Sequence, residues 1–185
     1  MEEPHALDAY DIAFLAGGAQ RVADSAVIAL SGRGLLTLSG PRVRAVGETL
    51  PEHPVERALA ASCRRNRSTA SVHAALRRSP EVEEIGRRLI AQGLVTRSRR
   101  RSTRLGRRLL RAAEEGAGLP AYFFGGPAVL ADSPVRRGVV GARPVPSGLG
   151  RALIRMGRAL DHDSASDSAG HSGSAFGCGG GGGSD

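Results

Sequence analysis

The stretch from Leu7 to Gly47, LDAYDIAFLAGGAQRVADSAVIALSGRGLLTLSGPRVRAVG, constrains the fold more than any other part of the chain. Leu7, Tyr10 and Phe14, with Ile12 and Leu15 beside them, recur at helical spacing and give a short helix one apolar face. Gly17-Gly18 should stop it, because glycine accepts the left-handed backbone that ends a helix. A second helix is then expected, with Val22, Ala26 and Leu30 on one stripe and Ala23 and Val27 on the next, halted by Gly32-Arg33-Gly34. Leu36 and Leu38 alternate with Thr37, Ser39-Gly40-Pro41 makes a turn, and Val43 and Val46 are expected to bring a second strand back. Helix, helix and small hairpin is the outline of a winged-helix-like unit. No catalytic or ligand-binding pattern sits on it.

A second unit follows the Pro-bounded linker at 48–53, ETLPEH, and spans 54–116. Pro54 suits the first turn of a helix carrying Val55, Leu59 and Ser62-Cys63. Asn66 and Ser68 break it, and Ser68 or Thr69 is expected to cap a short helix through Val72, Ala75 and Leu76. Ser79 then caps a helix in which Glu81, Glu83 and Glu84 meet the positive end of the dipole and Val82, Ile85 and Leu89 form the buried stripe. Gly93-Leu94-Val95 ends it much as Gly34-Leu35-Leu36 closes the helices of the first unit. The expected fold class is therefore mainly α with a small β-hairpin, built as tandem winged-helix-like units. Residues 117–160 read as a short helical extension: Tyr122-Phe123-Phe124 docks on a unit, Val135 to Val140 makes a short helix, and Leu153, Met156 and Leu160 share a face of a last one. Residues 161–185 are low in complexity and rich in Gly and Ser, so a disordered tail is expected.

The opening block carries a resemblance as well. Leu7, Asp8, Tyr10, Ala13, Leu15, Ala16, Gly17 and Gly18, with the acidic Asp11, resemble the start of an uncharacterised actinobacterial family whose members begin L-D-P-Y-E-hydrophobic-A-Y-L-A-G-G. Ala9 stands here for the family's proline and Phe14 for its tyrosine. Members of that family are usually labelled domain-containing membrane proteins. In them a second helical unit, often hydrophobic spans, and a tail rich in glycine and cysteine follow the block. The tail GCGGGGGSD is similar to theirs, although Cys178 is its one cysteine. The resemblance implies an architecture and no activity, cofactor or catalytic residue.

Charge is distributed more tellingly than its total of +8. The chain contains no lysine, and its 26 cations are all arginine. Residues 1–53 hold four Arg against seven acids, 54–111 sixteen against four, 112–160 six against three, and 161–185 four Asp with no Arg. The densest run is Arg97 to Arg111, RSRRRSTRLGRRLLR: Arg97, Arg99, Arg100, Arg101, Arg104, Arg107, Arg108 and Arg111. As a helix it would set Arg101, Arg104, Arg108 and Arg111 on one face and Leu105, Leu109 and Ala112 on another. These eight arginines are the candidate contact for a polyanion or a membrane.

Other site chemistry is not expected. Cys63 reads as a small buried apolar residue, and two cysteines make no disulfide framework. Gly32-Arg33-Gly34 lacks the third glycine and the preceding strand of a dinucleotide fingerprint. No nucleophile elbow is present. His162, Asp163, His171 and Cys178 fit no zinc spacing, and Asp8 with Asp11 reads as exposed cap and surface charge. The acidic start MEEPH has no apolar run behind it, and the longest candidate span, Leu119 to Ala131, is broken by prolines and a Gly pair, so neither a signal peptide nor a transmembrane helix is expected.

The expected function is a non-enzymatic protein-interaction or membrane-apposed module, without cofactors, in the cytoplasm or peripheral at the membrane. A protein partner comes first and an anionic membrane surface second. Nucleic acid is the alternative, through largely non-specific backbone contacts by a winged-helix regulator. The helix in the recognition position, Pro80 to Gln92, opens with three glutamates that phosphates would repel, and Glu83–Arg87 and Glu84–Arg88 have the spacing of solvated surface pairs. Limited proteolysis tests the tail: cleavage is expected after about Leu160, leaving a resistant N-terminal part, and a tail as protected as residues 7–47 refutes the expectation.

Overall fold

The computed structural model describes residues 7–143 except 48, 99 and 117; the expected helix at 151–160, the tail at 161–185 and its His, Asp and Cys residues lie outside the described residues. Asp8 starts the longest helix, α1 (Ala9–Gly32). Its carboxylate accepts from the Tyr10 and Asp11 amides at 2.8 Å each, and the Asp11 carboxylate accepts from the Asp8 amide at 3.1 Å. This reciprocal box satisfies donors that a helix start leaves unpaired. Gly17-Gly18 breaks the helix as expected, both residues leaving helical backbone between two helical halves. Gly18 stands at φ 65 and ψ −160, a backbone region open essentially to glycine, and the helix resumes at once. The result is a kink between two halves, one burying Tyr10, Ile12, Phe14 and Leu15 and the other Val22, Ala23, Ala26, Val27 and Leu30.

Strands β1 (Leu36–Ser39) and β2 (Arg42–Ala45) form the expected hairpin, with Leu36 opposite Ala45 and Leu38 opposite Val43. Val43 is 1% exposed whereas Val46 is 45% exposed, which corrects the expected pairing of those two. Positions three apart on a strand point to opposite faces, so only one of them can enter the core. A third strand, β3 (Arg67–Ser68), adds antiparallel to β2 with Arg67 opposite Val43. Two residues are too few to show an alternation, and the segment had read simply as a break between helices.

The remaining elements are α2 (Pro54–Ser62), α3 (Thr69–Leu76), α4 (Pro80–Ala91), α5 (Arg104–Glu115), α6 (Tyr122–Gly125), a 3₁₀ turn at Gly126–Val129, and α7 (Pro134–Gly141). The protein is thus mainly helical with a small antiparallel sheet. Helix α1 touches β1, the 3₁₀ turn and each of the other helices. Val55, Leu59 and Cys63 of the α2 segment, Val72 and Leu76 of α3, and Val82, Ile85 and Leu89 of α4 join the same hydrophobic cluster as α1. The described residues of 7–47 and of 54–95 therefore share one core. Phe123 docks edge-on against Tyr10, with ring centroids 5.5 Å apart, as the aromatic triplet led one to expect.

Helix α1 also revises the reading of spans. At 24 residues and a mean hydropathy of 1.2 it is long and apolar enough to cross a membrane, which Leu119 to Ala131 is not. The glycine pair had split it in the sequence. In the fold, 61% of that window is buried by the surrounding elements. Phe14 is 2% exposed and Leu30 fully buried. Phe14→Ala and Leu30→Ala are each expected to destabilise by about 2–5 kcal/mol, while Val46→Thr should leave stability within about 0.5 kcal/mol. Denaturant unfolding of the three variants checks both the helix phases and the strand register.

Candidate polyanion-contact surface

The arginine run begins where α4 ends. Leu94 and Val95 turn back into the core, Val95 bridges Ser102 in antiparallel sense, and the Thr103 amide donates to the Leu94 carbonyl at 2.9 Å. The Thr96 amide donates to Arg101 O at 2.8 Å and the Arg100 amide to Thr96 O at 2.9 Å, closing a minimal hairpin with Arg97, Ser98 and Arg100 at its tip. Arg100 takes φ 48, a left-handed conformation uncommon for a residue other than glycine. Thr103 then caps α5, its hydroxyl accepting from the Gly106 amide at 3.2 Å and donating to Gly93 O at 2.9 Å.

What fixes α5 is a contact between backbones. A Cβ on Gly106 would stand 2.4 Å from the Leu94 carbonyl oxygen and 3.2 Å from Leu15 Cδ2, so only glycine lets the helix settle there. The Ser102 hydroxyl donates to the Leu15 carbonyl at 2.5 Å. Carbonyls just ahead of a helix break lack an intrahelical donor, and the kink in α1 thereby supplies the anchor for the basic loop.

Arg97, Arg100, Arg101, Arg104, Arg107, Arg108 and Arg111 are all exposed, and Arg99 lies outside the described residues. Arg104, Arg108 and Arg111 share the outer face of α5, while Arg101 stands in the loop ahead of it. The buried side is Gly106, with Leu110 and Ala113 half-buried, one position on from the leucine stripe expected. Leu105 and Leu109 consequently face outward, 52% and 37% exposed. Among the described residues no carboxylate lies within ion-pair distance of these seven arginines.

The acids are engaged elsewhere. Asp11 had read as surface charge; it is fully buried and pairs with Arg88 at 2.5 Å. Arg88 accordingly turns inward, and the expected Glu84–Arg88 pair is replaced by Glu84–Arg87 at 2.5 Å, one helical position shorter. Glu56 accepts from the Tyr10 hydroxyl at 2.6 Å and pairs with Arg33. Burial, reinforced by that hydrogen bond, raises the tyrosine pKa far above its usual value.

The most deeply buried group of charges escaped the sequence entirely. Asp24 and His73 are fully buried, with His73 Nε2 2.8 Å from Asp24 Oδ1. Gln20 Nε2 donates to the same oxygen at 3.0 Å, and Arg143 Nη2 donates to Oδ2 at 2.5 Å. Burial alone would push the Asp24 carboxyl up, but the hydrogen bonds from His73 and Arg143 outweigh it and hold it below the usual range. The clue was a lone acid inside the apolar run VADSAVIAL.

The described residues offer little covalent chemistry. Cys63 is fully buried and burial pushes its thiol up to about 11, so at neutral pH it stays protonated. Asp24 and His73 have a base's geometry but no access. Among the described residues no cluster of His, Cys, Asp or Glu could hold a metal. No known protein family, characterised protein or solved structure matches this chain.

Asp24→Asn would leave Arg143 without its counter-charge and His73 without its carboxylate partner, and a loss of about 3–5 kcal/mol is expected at pH 7. Because the folded-state pKa is depressed, the contribution of the carboxylate is present above its unfolded value of about 3.9 and disappears as pH falls through the folded value. Urea unfolding of both chains should show the gap narrowing below about pH 4; a gap constant with pH refutes the assignment.

Proposed function

We propose that this chain is a non-enzymatic module whose 96–103 loop and helix α5 rest against an anionic membrane surface, presenting the rest of the fold to a membrane-associated protein assembly. The observation that carries the reading is the set of seven exposed arginines without carboxylate partners among the described residues, beside the outward-facing Leu105 and Leu109. An arginine near an anionic bilayer contributes about 1 kcal/mol, so four in contact give roughly a thousandfold in affinity. Leucines on the shoulder of a basic helix add a shallow apolar footing, as in interfacial helices. The resemblance of the opening block to a family labelled as membrane proteins supports the same direction.

DNA is the second reading, favoured by one observation. The order α2, β3, α3, α4 and hairpin 95–102 follows the sequence of elements in a winged-helix module, with arginines at the hairpin tip. Against base readout, α4 exposes Glu83 and Glu84 beside Arg87. Any contact would then run through phosphates and be indifferent to sequence.

Flotation with vesicles of neutral or anionic lipid, and retention on duplex DNA, test the reading. Binding to anionic vesicles is expected, weakened by moderate salt and lost in the quadruple variant Arg101→Gln, Arg104→Gln, Arg108→Gln, Arg111→Gln. Leu105→Ser with Leu109→Ser should weaken vesicle binding about tenfold and leave DNA retention unchanged. Unaltered vesicle binding in the quadruple variant overturns the proposal, and a sequence-selective DNA footprint replaces it with the second reading.

A further inference from the structure

The turn of the β1–β2 hairpin, the start of α3 and helix α7 enclose a pocket of about 620 Å³ well separated in sequence from the arginine run. Leu38, Pro41, Pro134 and Ala142 make its walls largely apolar, and no carboxylate among the described residues lines it. Its polar end is Ser68, Thr69 and Arg137. The Thr69 amide donates to the Pro41 carbonyl at 2.8 Å, which fastens the start of α3 to the hairpin. Across the pocket, the end of α7 is held by Arg143 on the buried Asp24.

Two features of that polar end call for a ligand. Ser68 occupies the capping position with extended backbone, φ −64 and ψ 129, yet no side chain caps the first turn of α3. Thr69 lines the pocket, is 2% exposed, and its hydroxyl has no hydrogen-bond partner among the described residues. A buried hydroxyl left unpaired is a net cost to the fold that an acceptor at this end would remove. A helix start favours negative charge through its dipole and its amides. Arg137 adds a cation; its one ion-pair partner, Asp132 at 2.9 Å, is as exposed as Arg137 itself, so water screens that pair and leaves the guanidinium available.

We propose that this pocket binds a small phosphate monoester carrying an apolar body. The phosphate sits at the start of α3, its oxygens taking hydrogen bonds from the first-turn amides and the Ser68 and Thr69 hydroxyls, with Arg137 neutralising its charge. The organic body lies against Leu38, Pro41 and Pro134. A tetrahedral head with three free oxygens can meet amides, hydroxyls and a guanidinium together; a planar carboxylate has only two.

Isothermal titration of the full chain with phenyl phosphate, inorganic phosphate and benzoate tests the assignment. Phenyl phosphate should bind at least tenfold more tightly than either of the others. Thr69→Val should weaken it about tenfold while the ligand-free protein melts at the same or a higher temperature, since that change removes an unpaired hydroxyl. Arg137→Gln, at an exposed position, should weaken it similarly without affecting folding. The quadruple α5 variant should bind phenyl phosphate like the parent. No heat at millimolar phenyl phosphate, equal affinity in both pocket variants, or loss of binding in the α5 variant overturns the proposal.

Discussion

Helix α1 carries Asp11, Asp24 and Ser25 fully into the core, so these polar groups must be satisfied from within the protein. That constraint selects which elements sit where. Asp11 draws Arg88 and with it α4; Asp24 draws His73 of α3 and Arg143 just beyond α7; the Ser25 hydroxyl reaches the Tyr122 carbonyl at the start of α6, at 3.3 Å. Tyr10 and Arg33, near the two ends of the helix, converge on Glu56 of α2. An apolar core made of Leu, Val, Ile and Ala can be packed in many ways for similar energy. A carboxylate that is fully buried tolerates only arrangements that bring it a donor. Five helices are thereby tied to one, at defined points along its length.

The break at Gly17-Gly18 extends the same logic to the surface. An unbroken helix would use the Leu15 carbonyl internally; here it accepts the Ser102 hydroxyl, and Gly106 brings α5 down beside it. The basic loop and helix are therefore mounted on the centre of the core rather than on a peripheral loop. Their arginines move as side chains, while the backbone that presents them is fixed by a bridge, a cap and a close contact.

Local chemistry made part of this legible beforehand. The stripes of α1, the cap at Ser79, the turn at Gly40-Pro41 and the burial of Cys63 each follow from spacing or from one residue's preference, and the sequence displays both. Relations between distant residues were hidden. Arg88 lies 77 positions from Asp11, and Arg143 lies 119 from Asp24. No periodicity connects them, so Asp11 reads from the sequence as surface charge and Asp24 has no visible partner. The stripe of α5 misled for a different reason. Leucines suggest a packed face, but the contact that seats this helix requires a missing side chain at Gly106. Of the candidate surface, the residues could be named in advance; their exposure and their lack of partners could not.

Those two halves of the charge distribution explain each other. The fold places Asp11, Asp24 and Glu56 inside, each with an arginine, because a buried carboxylate without one would be far costlier than an exposed arginine without an acid. Arginines in the middle of the chain are left in excess, and those of the 97–111 run that are described have no carboxylate within ion-pair distance among the described residues. Like charges held this close on a rigid backbone repel, and ordinary salt relieves only part of that over separations shorter than the screening length of about 8–10 Å. An extended anionic surface relieves it further, because several arginines can be neutralised at once without reordering the loop. Leu105 and Leu109 sharpen the choice among such surfaces. Duplex DNA has little use for two leucines beside its phosphates, whereas a bilayer gives them somewhere to go.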